Sequence, residues 1–421
     1  MRLPNLAHGM SKTWKNWGME TASTTAAFLF FALLLVTPNT YNIGPIFLLA
    51  TGVYWLARGR LTPLPSRSTI LIVPFAAYFL AIATTTALYG WDMRLIDTPS
   101  RLILLIPVLW VLTQTGFRIQ AIWHGAAIGA IGAFFMALYQ RYASGLDRAE
   151  GFQHPIQFGD IGMLLGLLSL VAVLRFASTR QSMLAAFSML GALAGIMASL
   201  LSGSRGGWIG LPLIIMTLLG YYANTLGRRR ILAISGLLAL MLYIAFISPQ
   251  TGVKDRLNAA INDITHYQHE NGANSSVGAR LELYKAGAML IDDAGMFGLG
   301  EQGARDKLQA MANDGLIRPA IVEMGHFHNE LLDHLIRNGF VGAIALIMLY
   351  AVPLIGFITQ AGSHDPDIKA AAVAGIITVT SVIDFGLSQK FFAHQIGLMT
   401  YGFTLVVLWA ATTHPRHRSI H

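Results

Sequence analysis

Four short polar clusters interrupt an otherwise apolar sequence, and each carries residue types that can hold an anion or move a proton. The first is Ser202-Gly-Ser-Arg205-Gly-Gly-Trp208. Glycines beside Arg205 let backbone N–H groups and the guanidinium approach a phosphate together, a bidentate, charge-assisted arrangement. A tight turn whose arginine snorkels to lipid headgroups is the plainer reading of the same residues. The second is Ser275-Ser-Val-Gly-Ala-Arg280, followed by Asp292-Asp-Ala-Gly-Met-Phe-Gly298-Leu-Gly300. Here Arg280 opens an amphipathic helix and a glycine-rich turn closes it, although an arginine at a helix start is also ordinary solvated surface. The third is Glu323-Met-Gly-His326-Phe-His328-Asn329-Glu330. Its two histidines and asparagine could supply a general base and an orienting partner, or simply contact headgroups and backbone. The pair lacks the i,i+4 spacing that puts two imidazoles on one helix face, and no HExxH motif accompanies it, so no metal is expected. The fourth and weakest, Arg148-Ala-Glu-Gly-Phe-Gln-His154-Pro-Ile-Gln-Phe-Gly-Asp160, sets a cation, a histidine and carboxylates beside an apolar run.

The elements that must position these clusters are membrane helices. Hydrophobic residues make up 54% of the 421-residue chain and charged residues only 12%, with a mean hydropathy of +0.55. A soluble domain carries about a quarter charged residues, and half of that is too little to wet a globule of this length. The apolar residues come in blocks of roughly 18–22, enough to cross about 30 Å of hydrocarbon as helix. The ten-residue alternation of a membrane β-barrel is missing, and backbone satisfaction in lipid then leaves only helices. The expected fold is therefore an all-α polytopic membrane protein. Its spans fall near 22–37, 42–57, 69–89, 101–116, 119–139, 157–175, 182–202, 206–223, 229–248, 340–360, 369–387 and 394–412. The first apolar run reads as an uncleaved span rather than a signal peptide. With no cysteine, disulfides, thiolate nucleophiles and cysteine-bound metals are all excluded.

Arginine distribution orients the chain. With Arg2, Lys12 and Lys15 in the cytoplasm, so are Arg58, Arg60 and Arg67, then Arg118, then Arg175 and Arg180, then Arg228, Arg229 and Arg230, and finally Arg416 and Arg418. Both termini are then cytoplasmic. The formal charge of +8 reflects this topology, and no nucleic-acid partner is implied. The organisation expected is helices over 1–248, an outer helical segment over 249–339, and helices with a tail over 340–421. Within the outer segment, helices are expected over 253–265, 280–291 and 304–311, separated by a polar stretch at 268–276 and the glycine turn at 295–303. All four polar clusters lie on the outer face. Arginines there run against the positive-inside bias, and anion binding would explain their retention.

Order and sidedness of these motifs resemble the O-antigen ligase group, within the larger family of O-antigen ligases, O-antigen polymerases and membrane O-oligosaccharyltransferases. Three features carry the resemblance: Ser204-Arg205-Gly206 after a span, Arg280 ahead of the glycine turn, and His328-Asn329 separated from Gly339 as in the ligase histidine motif. Ile209 stands where the family's arginine motif usually has leucine. The resemblance covers roughly residues 145–345. It implies a GT-C-like glycosyltransferase in the inner membrane of a Gram-negative bacterium. Such an enzyme moves O-antigen from undecaprenyl diphosphate to lipid A–core at the periplasmic face, with membrane lipids around it and no cofactor. On that footing Arg205 and Arg280 are the expected diphosphate clamps, with Arg148 a third. His328 is the expected base and His326 its competitor, Asn329 or Glu323 is the ring-orienting partner, and His154 is a secondary site residue. A monomer is expected. An O-antigen polymerase or protein-glycosylating enzyme of the same family is the nearest rival. A lipid-linked sugar transporter is the rival of another class, supported weakly by Asp384 and His334 near membrane ends.

Overall fold

The computed structural model describes residues 6–60, 62–204, 206–248, 258 and 276–413. Arg205, the expected helix at 253–265 and most of the polar stretch after it lie outside the described residues. Nine helices precede the outer segment: α1 (Leu6–Leu33), α2 (Ile43–Ala57), α3 (Ser66–Leu88), α4 (Met93–Thr115), α5 (Gln120–Leu138), α6 (Pro155–Ser178), α7 (Ser182–Ser202), α8 (Leu211–Leu226) and α9 (Arg228–Ile247). The outer segment holds α10 (Ser276–Met289), α11 (Ile291–Ala294), α12 (Gly300–Asn313) and α13 (Pro319–Val322). Three helices follow: α14 (Glu330–Ile358), α15 (Pro366–Gly386) and α16 (Gln395–Thr413).

The chain is an all-α polytopic membrane protein. A helix stands at each of the twelve expected spans, and nine among the described residues are long and apolar enough to cross a bilayer. The three that fall short are α1, α2 and α9. Helix α2 has 15 residues, which at 1.5 Å each is short of about 30 Å of hydrocarbon. Helix α9 opens on three consecutive arginines, and α1 is polar through its first half. The interior belongs to α6, α15 and α16, whose apolar stretches are almost wholly buried by their neighbours. Small residues let α6 and α7 approach closely: a Cβ on Gly195 would stand 2.6 Å from both the Gly162 carbonyl oxygen and the Gly166 Cα.

One boundary differs from the sequence expectation in a way that matters for the site. The tenth span was expected from 340, but α14 begins ten residues earlier and is broken at Gly339, which has φ 66° and ψ −164°. Only glycine tolerates that backbone without strain. The break exposes backbone groups, and the glycine turn after α11 takes them up. Leu299 N donates to the Ile336 carbonyl at 2.8 Å, Phe340 N to Gly295 at 3.2 Å and Val341 N to Met296 at 3.1 Å. From α3, the Tyr89 hydroxyl donates to the Gly298 carbonyl at 2.5 Å. The turn is thus wedged between α3 and the break.

The outer segment has its own small core, separate from that of the bundle. Leu283, Ala286, Leu290, Leu308, Ile317 and Ile321 pack with Phe327 and Ile336. Phe327 is fully buried there. With Phe327 anchored inward, the left-handed backbone at His328 brings its ring beside that of His326.

Glycine at 339 is required by both conformation and space, since a Cβ there would collide with Gly298 N and the Met296 carbonyl. Gly339→Ala should therefore destabilise the folded protein by about 1–3 kcal/mol. Gly303→Ala, whose Cβ would meet Leu299 Cβ at an ordinary 3.5 Å, should not. Thermal unfolding of both purified variants in detergent checks this, and equal midpoints would refute it.

Candidate functional site

Two polar groupings meet at one end of the bundle. The first gathers around Asp160, near the start of α6, which is fully buried. Its Oδ1 accepts from the Ser204 hydroxyl at 2.6 Å, and its Oδ2 has no hydrogen-bond partner among the described residues. Ser204 follows the left-handed cap Gly203 that ends α7. Arg148 Nε donates to the Ser202 carbonyl at 2.8 Å. The guanidinium groups of Arg148 and Arg280 both act electrostatically on the Asp160 carboxylate. Asp384, near the end of α15, accepts from Gly210 N at 2.9 Å. The glycines after Arg205 allow this crowding: side chains at 206 and 207 would run into Ser388 and Phe385.

Helix α10 brings Arg280 to this point, and Tyr284, one turn further on, secures it. The Tyr284 hydroxyl lies 2.6 Å from the Leu387 carbonyl and 3.2 Å from that of His328. Residues four apart share a helix face, so fixing Tyr284 fixes the direction in which Arg280 projects. Arg318 Nε pairs with Glu282 Oε2 at 2.8 Å and ties α10 to the start of α13.

The histidine loop lies beside this group. His328 takes a left-handed φ of 51°, its N–H donates to His326 Nδ1 at 3.2 Å, and the two ring centroids stand 4.1 Å apart. Burial, the His326 ring and the Arg280 guanidinium push the His328 imidazole down to about 3, against a smaller upward pull from the Ser388 carbonyl and Asp333. Burial holds His326 at about 4, with Asp333 pulling it upward and Lys390, Arg337 and His394 each pushing it down. Both rings are neutral at ordinary pH. His328 Nδ1 is buried without a hydrogen-bond partner among the described residues.

The other expected residues are spread more widely. The Asn329 side chain caps α14 by accepting from Leu332 N at 2.9 Å, and it also bonds the Tyr284 hydroxyl. Glu323 closes α13 and makes no hydrogen bond or ion pair with either imidazole. His154 caps α6 through Nδ1, 3.3 Å from Ile156 N, and stacks on His394 with centroids 6.2 Å apart. Burial and Arg148 lower its pKa. The groups of three or more histidines and acids that a metal site requires are missing among the described residues.

The second grouping was not read as a unit in the sequence, where Glu330 and His334 figured singly and Asp333 and Arg337 not at all, because residues 330–338 sit just before an apolar span. Asp333, with no exposure to solvent, is its centre. Its Oδ1 accepts from Phe327 N at 3.2 Å and from Arg337 Nε at 3.0 Å, and its Oδ2 pairs with Lys390 at 2.5 Å. Arg337 also reaches the Gly325 carbonyl at 2.6 Å and pairs with Glu301. One turn earlier, Glu330 Oε2 accepts from Phe392 N at 3.0 Å, while His334 donates from Nδ1 to the Glu330 carbonyl and meets the Tyr78 hydroxyl at 2.9 Å. The missed signal was the spacing of Glu330, Asp333, His334 and Arg337, which puts four polar groups on adjoining turns of one helix.

At the other end of the bundle the cations have local structural partners. Arg175 pairs with Asp367 at 2.7 Å, Arg67 donates to the Gly356 carbonyl at 2.6 Å, and Lys369 sits over the Tyr222 ring.

Residues 190–347 match a protein-family model described as O-antigen ligase. The chain is also 31% identical over 374 residues to an uncharacterized protein of Haemophilus influenzae, spanning 89% of this chain and 94% of that protein.

Removing the charge of Asp333 leaves Arg337 and Lys390 facing an uncharged group. Asp333→Asn should cost about 3–5 kcal/mol of stability, as breaking buried pairs does. Arg305→Ala, which breaks a pair with Glu301 at the surface, should cost less than about 1 kcal/mol. Unfolding midpoints of the two variants compare them directly, and a mild effect at Asp333 would refute its central place.

Proposed function

Because the chain belongs to the O-antigen ligase family, whose members are membrane glycosyltransferase-like enzymes, we propose that it transfers O-antigen from undecaprenyl diphosphate to lipid A–core at the periplasmic face of the inner membrane. One observation carries this reading: Arg280 acts electrostatically on both the His328 imidazole and the Asp160 carboxylate beside Ser204. A candidate anion clamp and a candidate base thus share one location, next to the turn that contains Arg205.

The proposed chemistry is a single displacement. His328 takes the proton of an acceptor sugar hydroxyl while that oxygen bonds to the anomeric carbon of the donor. The bond from that carbon to the diphosphate oxygen breaks, and the electron pair leaves with undecaprenyl diphosphate. Attack from the face opposite the leaving group inverts the anomeric centre. Arg280, Arg205 and Arg148 meet the charge developing on the diphosphate, a task for which permanently charged, bidentate guanidinium groups suit. Nδ1, the ring nitrogen without a hydrogen-bond partner among the described residues, is the candidate site of the lone pair.

The electrostatics also supply a sequence of events. Burial, His326 and Arg280 make His328 a weak base. A bound diphosphate would offset the field of Arg280 and raise the basicity of the ring only when donor is present.

Purified protein with undecaprenyl-diphosphate-linked O-antigen and lipid A–core, in EDTA and without nucleotide, should yield full-length lipopolysaccharide. Longer lipid-linked chains instead would identify a polymerase. His328→Ala should lower transfer by about 10²–10⁴-fold and Arg280→Ala by about 10²–10³-fold, with expression intact. Normal transfer by well-folded His328→Ala protein would refute the base assignment.

The pH profile tests the same residue independently. The base works when neutral, so activity is lost as pH falls through its pKa. For wild-type protein the acid limb of kcat/KM should lie well below the ordinary histidine value of about 6.5. Arg280→Gln removes a cation that holds the pKa down, and should move that limb upward. A limb that stays in place would assign the titration to another group.

A further inference from the structure

A cavity of about 380 Å³ is bounded by the end of α3, the start of α4, the start of α12 and the first half of α14. That volume is within the range of small-molecule sites, about 300–1000 Å³. Its lining limits what it can hold. Tyr78, Tyr89 and Phe392 provide aromatic walls, while Thr98, Gln302 and Asn338 add uncharged donors and acceptors. The charged groups in the wall already answer one another: Arg337 with Glu301 and Asp333, Lys390 with Asp333, and Arg94 with Asp92. No excess of one sign draws in an anion, and so many polar groups disfavour an acyl chain. Flat apolar faces among uncharged hydrogen-bonding groups suit a sugar ring, which carries C–H faces and a hydroxyl rim.

The cavity's cations reach the histidine loop: Arg337 donates to the Gly325 carbonyl at 2.6 Å, and both Arg337 and Lys390 pair with Asp333, which holds Phe327 N. His328 feels Arg280, on the Asp160 side. His326 feels Lys390 and Arg337, which line the cavity, and His394, the neighbour of the lining residue Ala393. The two imidazoles stand 4.1 Å apart between centroids, His328 in the field of Arg280 and His326 in that of the cavity's cations. Asp333 holds both sides in register, since it binds Phe327 N between the histidines and the two cavity cations.

We propose that this cavity is the acceptor subsite, taking the terminal sugar of a hydroxyl-rich oligosaccharide and presenting its hydroxyl to the His326–His328 pair. The assignment rests on the transferase reading above, and adds that donor and acceptor occupy separate places at the histidine loop.

Direct binding separates the two sides. Full-length protein in nanodiscs is titrated with lipid A–core and, separately, with undecaprenyl diphosphate. Thr98→Trp fills the cavity and should weaken lipid A–core binding by about tenfold or more, leaving undecaprenyl diphosphate within about twofold. Gln302→Ala, at an exposed residue whose side chain bonds only within its own helix, should act in the same direction without adding bulk. Arg280→Ala should show the reverse pattern. Unchanged lipid A–core binding in both cavity variants, or equal loss of both ligands, would overturn the proposal. The transfer assay distinguishes failure of the subsite from failure of the ligase reading. If wild-type protein binds lipid A–core in a cavity-dependent way yet makes no lipopolysaccharide, the subsite stands and the ligase reading falls. Transfer by Thr98→Trp with an unchanged KM for lipid A–core would sink the subsite and leave the ligase reading intact.

Discussion

A carboxylate cut off from water must be met by charge and by donors, and at Asp333 this requirement organises the outer end of the molecule. Desolvating an ion costs several kcal/mol. Here Arg337, Lys390 and the Phe327 N–H offset it from three different parts of the chain. Arg337 comes from the same helix, Lys390 from the connection between α15 and α16, and Phe327 from the histidine loop. Two of these partners are near in sequence and Lys390 is remote, so satisfying one side chain ties the helix, the loop before it and the connection after α15 together. The two contacts on the loop backbone, Asp333 to Phe327 and Arg337 to Gly325, then leave it little freedom.

That device needs a rigid arm to carry it, and the break at Gly339 makes one. Residues 330–338 form a half-helix that Asn329 caps at one end and the glycine turn terminates at the other. The spacing between His328 and Gly339 is the length of this arm. As a motif it looks like a family marker. Physically, it is the distance from the point where the loop must be gripped to the point where the chain must turn into the membrane. The turn at 295–300 is glycine-rich for the same reason: it fits against the break, where side chains at 298 or 339 would strike backbone.

How much of this was legible in the sequence depended on the range of the interaction involved. Spans were legible because each is a local statement about length and apolarity, and a helix stands at every expected position. The outer helices near 280–291 and 304–311 followed from local periodicity, and their ends shifted by a few residues as caps and turns dictated. The half-helix was hidden, because Glu330, Asp333 and Arg337 looked like a polar approach to a span, and their burial depends on Lys390 and Glu301, remote in sequence. Tyr284 was missed for the same reason: nothing local indicates that its hydroxyl reaches the carbonyl of Leu387, 103 residues away. Asn329 was read as a partner for the histidine ring, but its side chain bonds Leu332 N and Tyr284 instead, since a helix start leaves N–H groups that a nearby amide readily accepts.

The paired histidines follow from the same pattern of contacts. Phe327 needs burial, and an apolar anchor flanked by polar residues is a simple way to fix a loop against a small core. Fixing it presents two imidazoles side by side, each kept from charging by burial and by cations: Arg280 and the His326 ring act on His328, and Lys390 and Arg337 act on His326. A site assembled in this way resists charging. On the proposed reading that property serves the reaction, because a base held neutral beside an arginine neither attracts stray anions nor loses its lone pair to acid. The charge that would restore its strength arrives with the substrate whose bond is to be broken. The arginines and the histidine are then not two separate functions, clamp and base, but one electrostatic unit whose state the diphosphate sets.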